Sequence, residues 1–130
     1  MSLHDSLANA RYFSLATFRR SGVMVATPVW FAEDEEVYYL FSAGDAGKVK
    51  RLRLGDSAQV APCDVRGVVS GDWLRAKATL LADGAEIQHA HRVLRRKYGW
   101  LMRMTDFFSQ LSGRFEKRAY IRVEIHEPSE

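Results

Sequence analysis

The sequence predicts a mainly β fold with flanking helices, in which six antiparallel strands close into a small barrel. Aromatic and β-branched residues alternate along most of the first half of the chain, and short turn signals separate the alternating segments. Parallel crossovers need longer connections, so neighbouring strands are expected to pair antiparallel. Two apolar stripes at helical spacing in the second half predict helices packed outside the barrel.

The first three strands are predicted over Arg11–Arg19, Val23–Ala32 and Val37–Ser42. The turn signal Ser21–Gly22 makes the first two strands a hairpin. An acidic run, Glu33–Glu36, forms the next turn. These short spacings predict an antiparallel meander of three strands.

A short helix and two further strands follow. Asp45 is a suitable N-cap and Gly55 a suitable terminator for a helix between them. The next strands are predicted over Ser57–Asp64 and Asp72–Ala82. The second of these has the clearest alternation of apolar and polar residues in the chain.

Two helices and a final strand complete the chain. Asp83 is the predicted N-cap of a helix over Ala85–Tyr98, which ends at Gly99. A second helical segment spans Trp100–Leu111, and the last strand spans Arg118–His126. No internal repeat or linker interrupts this order, so residues 1–130 are expected to form a single domain.

The composition excludes several classes of protein. A chain of 130 residues with 47% hydrophobic and 27% charged residues can bury a core and is too apolar for disorder. The single cysteine, Cys63, excludes an internal disulfide framework and a cysteine-based zinc cluster. No apolar run approaches the roughly 18 residues of a membrane span, and the N-terminus lacks a signal-peptide layout. We therefore expect a cytoplasmic protein without a membrane partner.

Pro28 lies inside an otherwise convincing strand. Proline cannot donate a hydrogen bond to a sheet, so this strand must lie at an edge or be interrupted there. An edge strand is the simpler interpretation. In the alternative, the sheet opens here and leaves the backbone of Thr27, Val29 and Trp30 free to contact a flat ligand.

Small residues followed by cations connect the third strand to the short helix. The free N–H groups at a helix start, together with Lys48, Arg51 and the hydroxyl of Ser42, are suited to binding an anion. The segment is not a Walker A motif, because only two residues separate its glycines, Gly44 and Gly47. A solvated basic face is the alternative interpretation.

The remaining candidate residues give weaker signals. His89 and His91 are two residues apart and so lie on different faces of a helix, which predicts no metal site. Cys63 has no base nearby in sequence and is expected to be inert. The basic run at residues 92–97 is most simply a solvated face. Aromatic residues just after it leave a nucleic-acid-binding barrel as an alternative.

Four motifs together resemble one known group of proteins. In chain order they are TPVWF, GKVKRLR, APCDVRG and KYGW. This order resembles the pyridoxamine 5'-phosphate oxidase-like flavin-binding split-barrel superfamily. Within it, the chain is most similar to the branch of deazaflavin (coenzyme F-420)-dependent oxidoreductases. The resemblance spans about Tyr12 to Ile125, and it implies a six-stranded split barrel, a homodimer and a cofactor at the dimer interface.

The resemblance also implies which residues bind the cofactor. Those facing the ring system are Ala26, Thr27, Pro28, Val29 and Trp30. Those facing the phosphate are Ser42, Ala43, Lys48 and Arg51. Candidates for closing the site from the second subunit are Cys63, Asp64, Tyr120 and Arg122. The second strand carries no cation, which favours deazaflavin; the alternative is flavin mononucleotide (FMN) bound by fewer charges. Lys50 and Arg53 are candidates for binding the acidic tail of a deazaflavin.

The function implied is that of an oxidoreductase. It would transfer a hydride between a flavin or deazaflavin and a small conjugated substrate. No catalytic side chain is assigned, and solvent or Tyr120 is the expected proton donor. One alternative is a non-catalytic protein of the same fold that binds a flavin, haem or a fatty acid. The nucleic-acid-binding barrel is less favoured, and no nucleic-acid partner is expected from a net charge of +3.

Overall fold

The computed structural model describes residues 12–111 and 118–126. Its strands are β1 (Tyr12–Phe18), β2 (Met24–Trp30), β3 (Ala32–Asp34), β4 (Val37–Ala43), β5 (Ser57–Cys63), β6 (Leu74–Leu80) and β7 (Arg118–Ile125). Its helices are α1 (Gly47–Leu52), α2 (Gly84–Tyr98) and α3 (Trp100–Leu111). In this part of the chain, all seven strands belong to one sheet, in the order β2-β1-β5-β6-β7-β4-β3. Every pair of neighbouring strands is antiparallel, as predicted.

The sheet curls into a half-barrel because consecutive strands lie at its opposite edges. β2 and β3 are the two outermost strands, yet only Phe31 separates them in the chain. The prediction of six strands is therefore wrong by one. The segment expected to form a single strand, Val23–Ala32, contains β2 and the start of β3, which pair with different neighbours. Phe31 is fully buried, and its ring stacks on Phe13 with centroids 4.4 Å apart. We call this one-residue junction the seam.

The predicted hairpin of the first two strands is confirmed, but the three-strand meander is wrong. β4 pairs with β3 and β7, not with β2. A two-residue turn joins β3 to β4, and its residues Glu35 and Glu36 have φ values of 51° and 67°. Positive φ at both positions is what a type I′ hairpin turn requires. This tight turn holds β3 against β4 at the far edge of the sheet.

The core has two parts. Inward-facing side chains fill the half-barrel, including Phe13, Leu15, Phe31, Tyr38, Leu40, Val60, Ala78, Ile121 and Val123. A second cluster packs α2 against the outside of the sheet through Ala32, Tyr39, Ala90, Val93, Leu94 and Tyr120. The alternating residues of β4 divide between the two clusters, because successive side chains of a strand point to opposite faces.

The helices follow the sequence prediction closely, except for the first. α1 begins at Gly47, and its N-cap is Ala46, so the prediction of Asp45 as the cap is wrong. α1 also ends at Leu52, before the expected terminator Gly55. The N-cap of α2 is Asp83, as predicted. As also predicted, α2 ends just before Gly99 and α3 begins just after it. None of the helices within the described ranges has the length and apolar character needed to span a membrane.

Candidate functional site

β2 is an edge strand of the described sheet, and it pairs only with β1. The edge position predicted from Pro28 is therefore confirmed. Met24, Ala26 and Pro28 share one face of β2 and are exposed, whereas the intervening residues are partly buried. The outer edge and one face of this strand are thus open to a ligand.

The loop between β5 and β6 lies beside this open face. Gly67 has a φ of 88°, and a Cβ at this position would lie 3.6 Å from Cδ of Pro28. Asp64 shapes the loop, because its carboxylate accepts hydrogen bonds from the backbone N–H groups of Arg66 and Val68, both at 2.9 Å. A glycine is required here because residues with a side chain rarely adopt this φ. The open strand is therefore bordered by a loop with a fixed conformation.

A buried hydroxyl on β2 lacks a hydrogen-bond partner. Oγ1 of Thr27 is one of two buried side-chain polar atoms in the described residues for which no partner is present; the other is Oγ1 of Thr79. Leaving a buried hydroxyl unpaired costs about 1–3 kcal/mol. Thr27 lies opposite Leu15, whose side chain is in the core, so this hydroxyl faces the interior of the half-barrel and not the exposed face of β2.

Two cations lie on α1, Lys48 near its start and Arg51 in its last turn, and neither has a carboxylate partner among the described residues. Nζ of Lys48 donates to Oγ of Ser42 at 3.4 Å, and Nε of Arg51 donates to Oγ1 of Thr17 at 2.6 Å. Partial burial and the nearby Arg51 guanidinium lower the pKa of Lys48. Gly47 allows the guanidinium to approach, since a Cβ there would lie 2.9 Å from Nη1 of Arg51. An added anion would relieve the repulsion between these cations.

Thr17 connects the cations to β2. It lies on β1 directly opposite Val25, near the first residue of β2. The structure therefore places Arg51 at the Met24 end of β2 and brings Lys48 together with Ser42. Ala43, the last residue of β4, is exposed beside them. The hydrogen bond between Arg51 and Thr17 joins residues 34 positions apart and has no local sequence signal.

At its other end, β2 is attached to the last turn of α2. The rings of Trp30 and Tyr98 stack with centroids 5.0 Å apart. The Tyr98 hydroxyl accepts a hydrogen bond from N–H of Phe31 at 3.1 Å and donates one to its carbonyl at 2.7 Å. Nζ of Lys97 donates to the same carbonyl at 2.7 Å and lies 4.0 Å from the Phe31 ring centroid. Side chains of α2 thus satisfy the backbone of the seam, where the chain leaves one strand for another.

The burial of Tyr98 and Lys97 at the seam shifts the pKa values of both side chains. Burial raises the pKa of Tyr98 from 10.0 to about 12. Partial burial also lowers the pKa of Lys97, because it removes water from around the charged ammonium. The resemblance included the KYGW motif but gave these residues no role. Since 67 residues separate Tyr98 from Phe31, no short-range pattern predicts the contact.

We expect Tyr98→Phe to lower the free energy of unfolding by about 1–3 kcal/mol, because it leaves the Phe31 N–H without its partner. Urea unfolding measures this loss. Tyr39→Phe is the matched control, since no hydrogen bond of the Tyr39 hydroxyl to a described residue is observed. An equal loss in both variants would contradict the role of Tyr98 at the seam.

The same hydroxyl predicts a dependence of stability on pH. Because the folded state raises the pKa of Tyr98, its contribution is fully present below the unfolded value of 10.0 and is lost as the pH rises toward about 12. Unfolding measured at a series of pH values across this window should show the loss in the wild type and a smaller loss in Tyr98→Phe. Parallel curves for the two proteins would refute the assignment.

Comparison with solved structures identifies the architecture. The chain is similar to HutZ, the heme storage protein of Vibrio cholerae, with a TM-score of 0.71, 14% identity and coverage of 95% of this chain and 87% of that one. It is also similar to a FAD-binding protein of Mesorhizobium loti, with a TM-score of 0.59, 17% identity and coverage of 95% and 84%. An F420 reductase gives a TM-score of 0.56 at 17% identity, with coverage of 98% and 96%.

The fold is the split barrel of the pyridoxamine 5'-phosphate oxidase-like proteins. No family model matches the sequence, and no curated protein matches it. Because the sequence identities are below 20%, the similarity to these structures establishes the fold alone. The split barrel expected from the four sequence motifs is confirmed.

The candidates for closing the site lie at different places in this split barrel. Cys63 is buried, and burial raises the pKa of its thiol. Tyr120 is buried beneath α2 with its ring near Phe41, and burial raises its pKa also. Arg122 forms ion pairs with Glu86 and Glu124 on the outer surface. No described contact joins Tyr120 or Arg122 to β2, so their role from a second subunit stays a prediction.

The two helix histidines bind separate carboxylates. Nε2 of His89 lies 2.9 Å from Asp34, and Nε2 of His91 lies 2.8 Å from Asp106. Asp106 also accepts a hydrogen bond from Arg118 at 2.7 Å. These pairs attach α2 and α3 to the split barrel. Within residues 12–111 and 118–126, no group of three or more potential metal ligands occurs.

Proposed function

We propose that this split barrel is an oxidoreductase that binds a flavin or deazaflavin along β2. The observation that carries the proposal is the open edge of β2, which has at one end two cations without acidic partners in the described part of the chain. The similar structures named FAD-binding protein and F420 reductase support a cofactor of the flavin type.

The residues present fit such a cofactor. Lys48 and Arg51 supply positive charge for a phosphate, and Ser42 supplies a hydroxyl; charge-assisted hydrogen bonds of this kind are about twice as strong as neutral ones. The exposed face of β2 at Ala26 and Pro28 has small side chains against which a flat ring can lie.

The protein's part in the reaction is to bind, orient and exclude water. A bound flavin or deazaflavin supplies the ring that carries the hydride. We assign ring contacts to the strand from Ala26 to Trp30 and phosphate contacts to Ser42, Ala43, Lys48 and Arg51. Tyr120 is buried under α2, so we assign protonation of the substrate to solvent.

We further propose that the active form is a homodimer. β2 lies at the edge of the described sheet, so one side of a ligand bound along it would remain in water. A second copy of the chain placed over this edge would cover that side. This arrangement makes each site dependent on two chains.

The test is a titration of the purified protein with FMN and with coenzyme F-420, in which binding is measured as quenching of fluorescence. We expect at least one of them to bind with a dissociation constant below about 100 μM, which is weak on the usual affinity scale. The loaded, reduced protein is then mixed with a panel of quinones and nitroaromatic compounds, and oxidation of the cofactor is followed. Absence of binding by both cofactors would refute the proposal.

Haem binding is the second candidate function, and the similarity to HutZ favours it. A titration with hemin distinguishes the two, because a bound haem produces a shifted, saturable Soret absorption band. Tight hemin binding without binding of FMN or coenzyme F-420 would assign the protein to haem storage or transport. Cofactor binding with turnover assigns it to the oxidoreductases.

A further inference from the structure

Four arginines line one open depression where α2 meets α3. The depression has a volume of about 810 Å³ and is bordered by Arg92, Arg95, Arg96, Gly99 and Arg103. Gly99 ends α2 with a φ of 54°, and α3 begins at the next residue, which brings Arg103 beside the last turns of α2. All four arginines are exposed, and no hydrogen bond or ion pair of their guanidinium groups to a described residue is observed.

This grouping opposes the stability of the helices. Arg92 lies three and four positions before Arg95 and Arg96, spacings at which like charges repel. Arg103 lies in the first turn of α3, where the helix dipole disfavours a cation and where no acidic residue is present. Of the four arginines, only Arg95 and Arg96 lie in the last turn of α2, where the helix dipole favours a cation. A bound anion would offset the unfavourable terms.

The depression lies next to the proposed ring site. Trp30, at the end of β2, stacks on Tyr98, which directly precedes Gly99. Arg96 also lines the neighbouring depression that contains Phe31 at the seam. The cations assigned to the cofactor phosphate are at the opposite, Met24 end of β2, because Arg51 contacts Thr17 there. β2 therefore has cations at both ends.

We propose that the arginine depression binds the anionic group, a carboxylate or a phosphate, of the substrate that reacts at β2. The proposal rests on the proposed function and narrows its substrate to an anionic, conjugated molecule. Guanidinium groups suit this task, because their planar donors pair with both oxygens of a carboxylate or phosphate. The acidic tail of a deazaflavin has the same chemistry, and the experiment separates the two sources.

The first measurement uses pyrophosphate as the probe and needs no cofactor. Calorimetric titration at low ionic strength compares the wild type with Arg95→Gln/Arg103→Gln and with the control Arg20→Gln/Arg75→Gln. The control removes two exposed arginines elsewhere and so changes the net charge equally. We expect the first variant to bind about tenfold more weakly or worse, from the loss of hydrogen bonds between charged groups, and the control to change less than about threefold. Thermal unfolding verifies that both variants fold.

The second measurement repeats the titration on protein loaded with its cofactor. Unchanged pyrophosphate affinity supports a site for the substrate. If loading with coenzyme F-420 blocks the probe and the Arg95→Gln/Arg103→Gln variant binds that cofactor more weakly, the depression holds the cofactor tail and the substrate assignment is overturned.

Equal pyrophosphate binding by wild type and variant overturns the anion site. Affinity for an oligonucleotide that rises with its length also overturns the proposal and assigns a nucleic-acid surface. Failure of the cofactor titration alone leaves the first measurement intact, so the two failures are distinguishable.

Discussion

Replacing Phe31 by alanine is expected to lower the free energy of unfolding by about 3–5 kcal/mol, the usual loss for a large aromatic side chain in a core. Phe31 is fully buried, stacks on Phe13 at 4.4 Å and meets the edge of Tyr38 at 5.7 Å. Its removal leaves a cavity at the seam, where two edges of the sheet meet. Urea unfolding measures the loss, with a variant Phe31→Leu as the control.

The Phe31→Leu variant separates the contribution of the stacked ring from that of buried apolar volume. It keeps most of the apolar volume at the seam but loses the stacked ring, so we expect it to be destabilised by less than half as much as the alanine variant. A loss below about 1 kcal/mol in Phe31→Ala would show that the seam relaxes freely, contrary to its burial against Phe13 and Tyr38.

Replacing Lys48 by alanine is expected to weaken cofactor binding by about 1.5–3 kcal/mol, the range for hydrogen bonds to charged groups. Nζ of Lys48 lies 3.4 Å from Oγ of Ser42, and no acidic side chain among the described residues neutralises it. It is therefore available to a phosphate. Fluorescence titration with the cofactor that binds the wild type measures the change.

Lys77→Ala is the matched control for that experiment. It removes the same side chain from an exposed position on β6, where Lys77 lies 3.9 Å from Asp56. We expect its cofactor affinity to stay within about twofold of the wild type, because exposed charges at a distance are screened. Equal effects in the two variants would refute the assignment of Lys48 to the phosphate.

Most elements of the fold were predictable because their signals are local. The alternation of β6, with Ala76 and Ala78 turned into the core, follows directly from the residue pattern. The boundary between α2 and α3 is set by Gly99, whose positive φ ends one helix before the next begins. Such signals need only a few neighbouring residues.

The seam was not predictable in the same way. The apolar run through Val29, Trp30, Phe31 and Ala32 continues past the junction, so nothing in the residue pattern marks where one strand ends. The division results from pairing: the residues before Phe31 pair with β1, and those after it pair with β4. Hydrophobic periodicity does not encode a change of partner.

The candidate site shows the same distinction. The contact of Lys48 with Ser42 spans six residues and could be predicted from one loop and one helix turn. The contacts of Arg51 with Thr17 and of Tyr98 with Phe31 span 34 and 67 residues, and they exist only once the sheet has curled. The ends of β2 are therefore defined by tertiary structure, even though its edge position was indicated by one proline.

The one-residue seam determines where this chain can change length. An insertion at Phe31 would have to be absorbed by β2 or β3, and a shift of one residue would turn every side chain of that strand to the opposite face. Any engineered insertion must therefore keep the spacing from Pro28 to Asp34, because those seven residues carry the change from one sheet edge to the other.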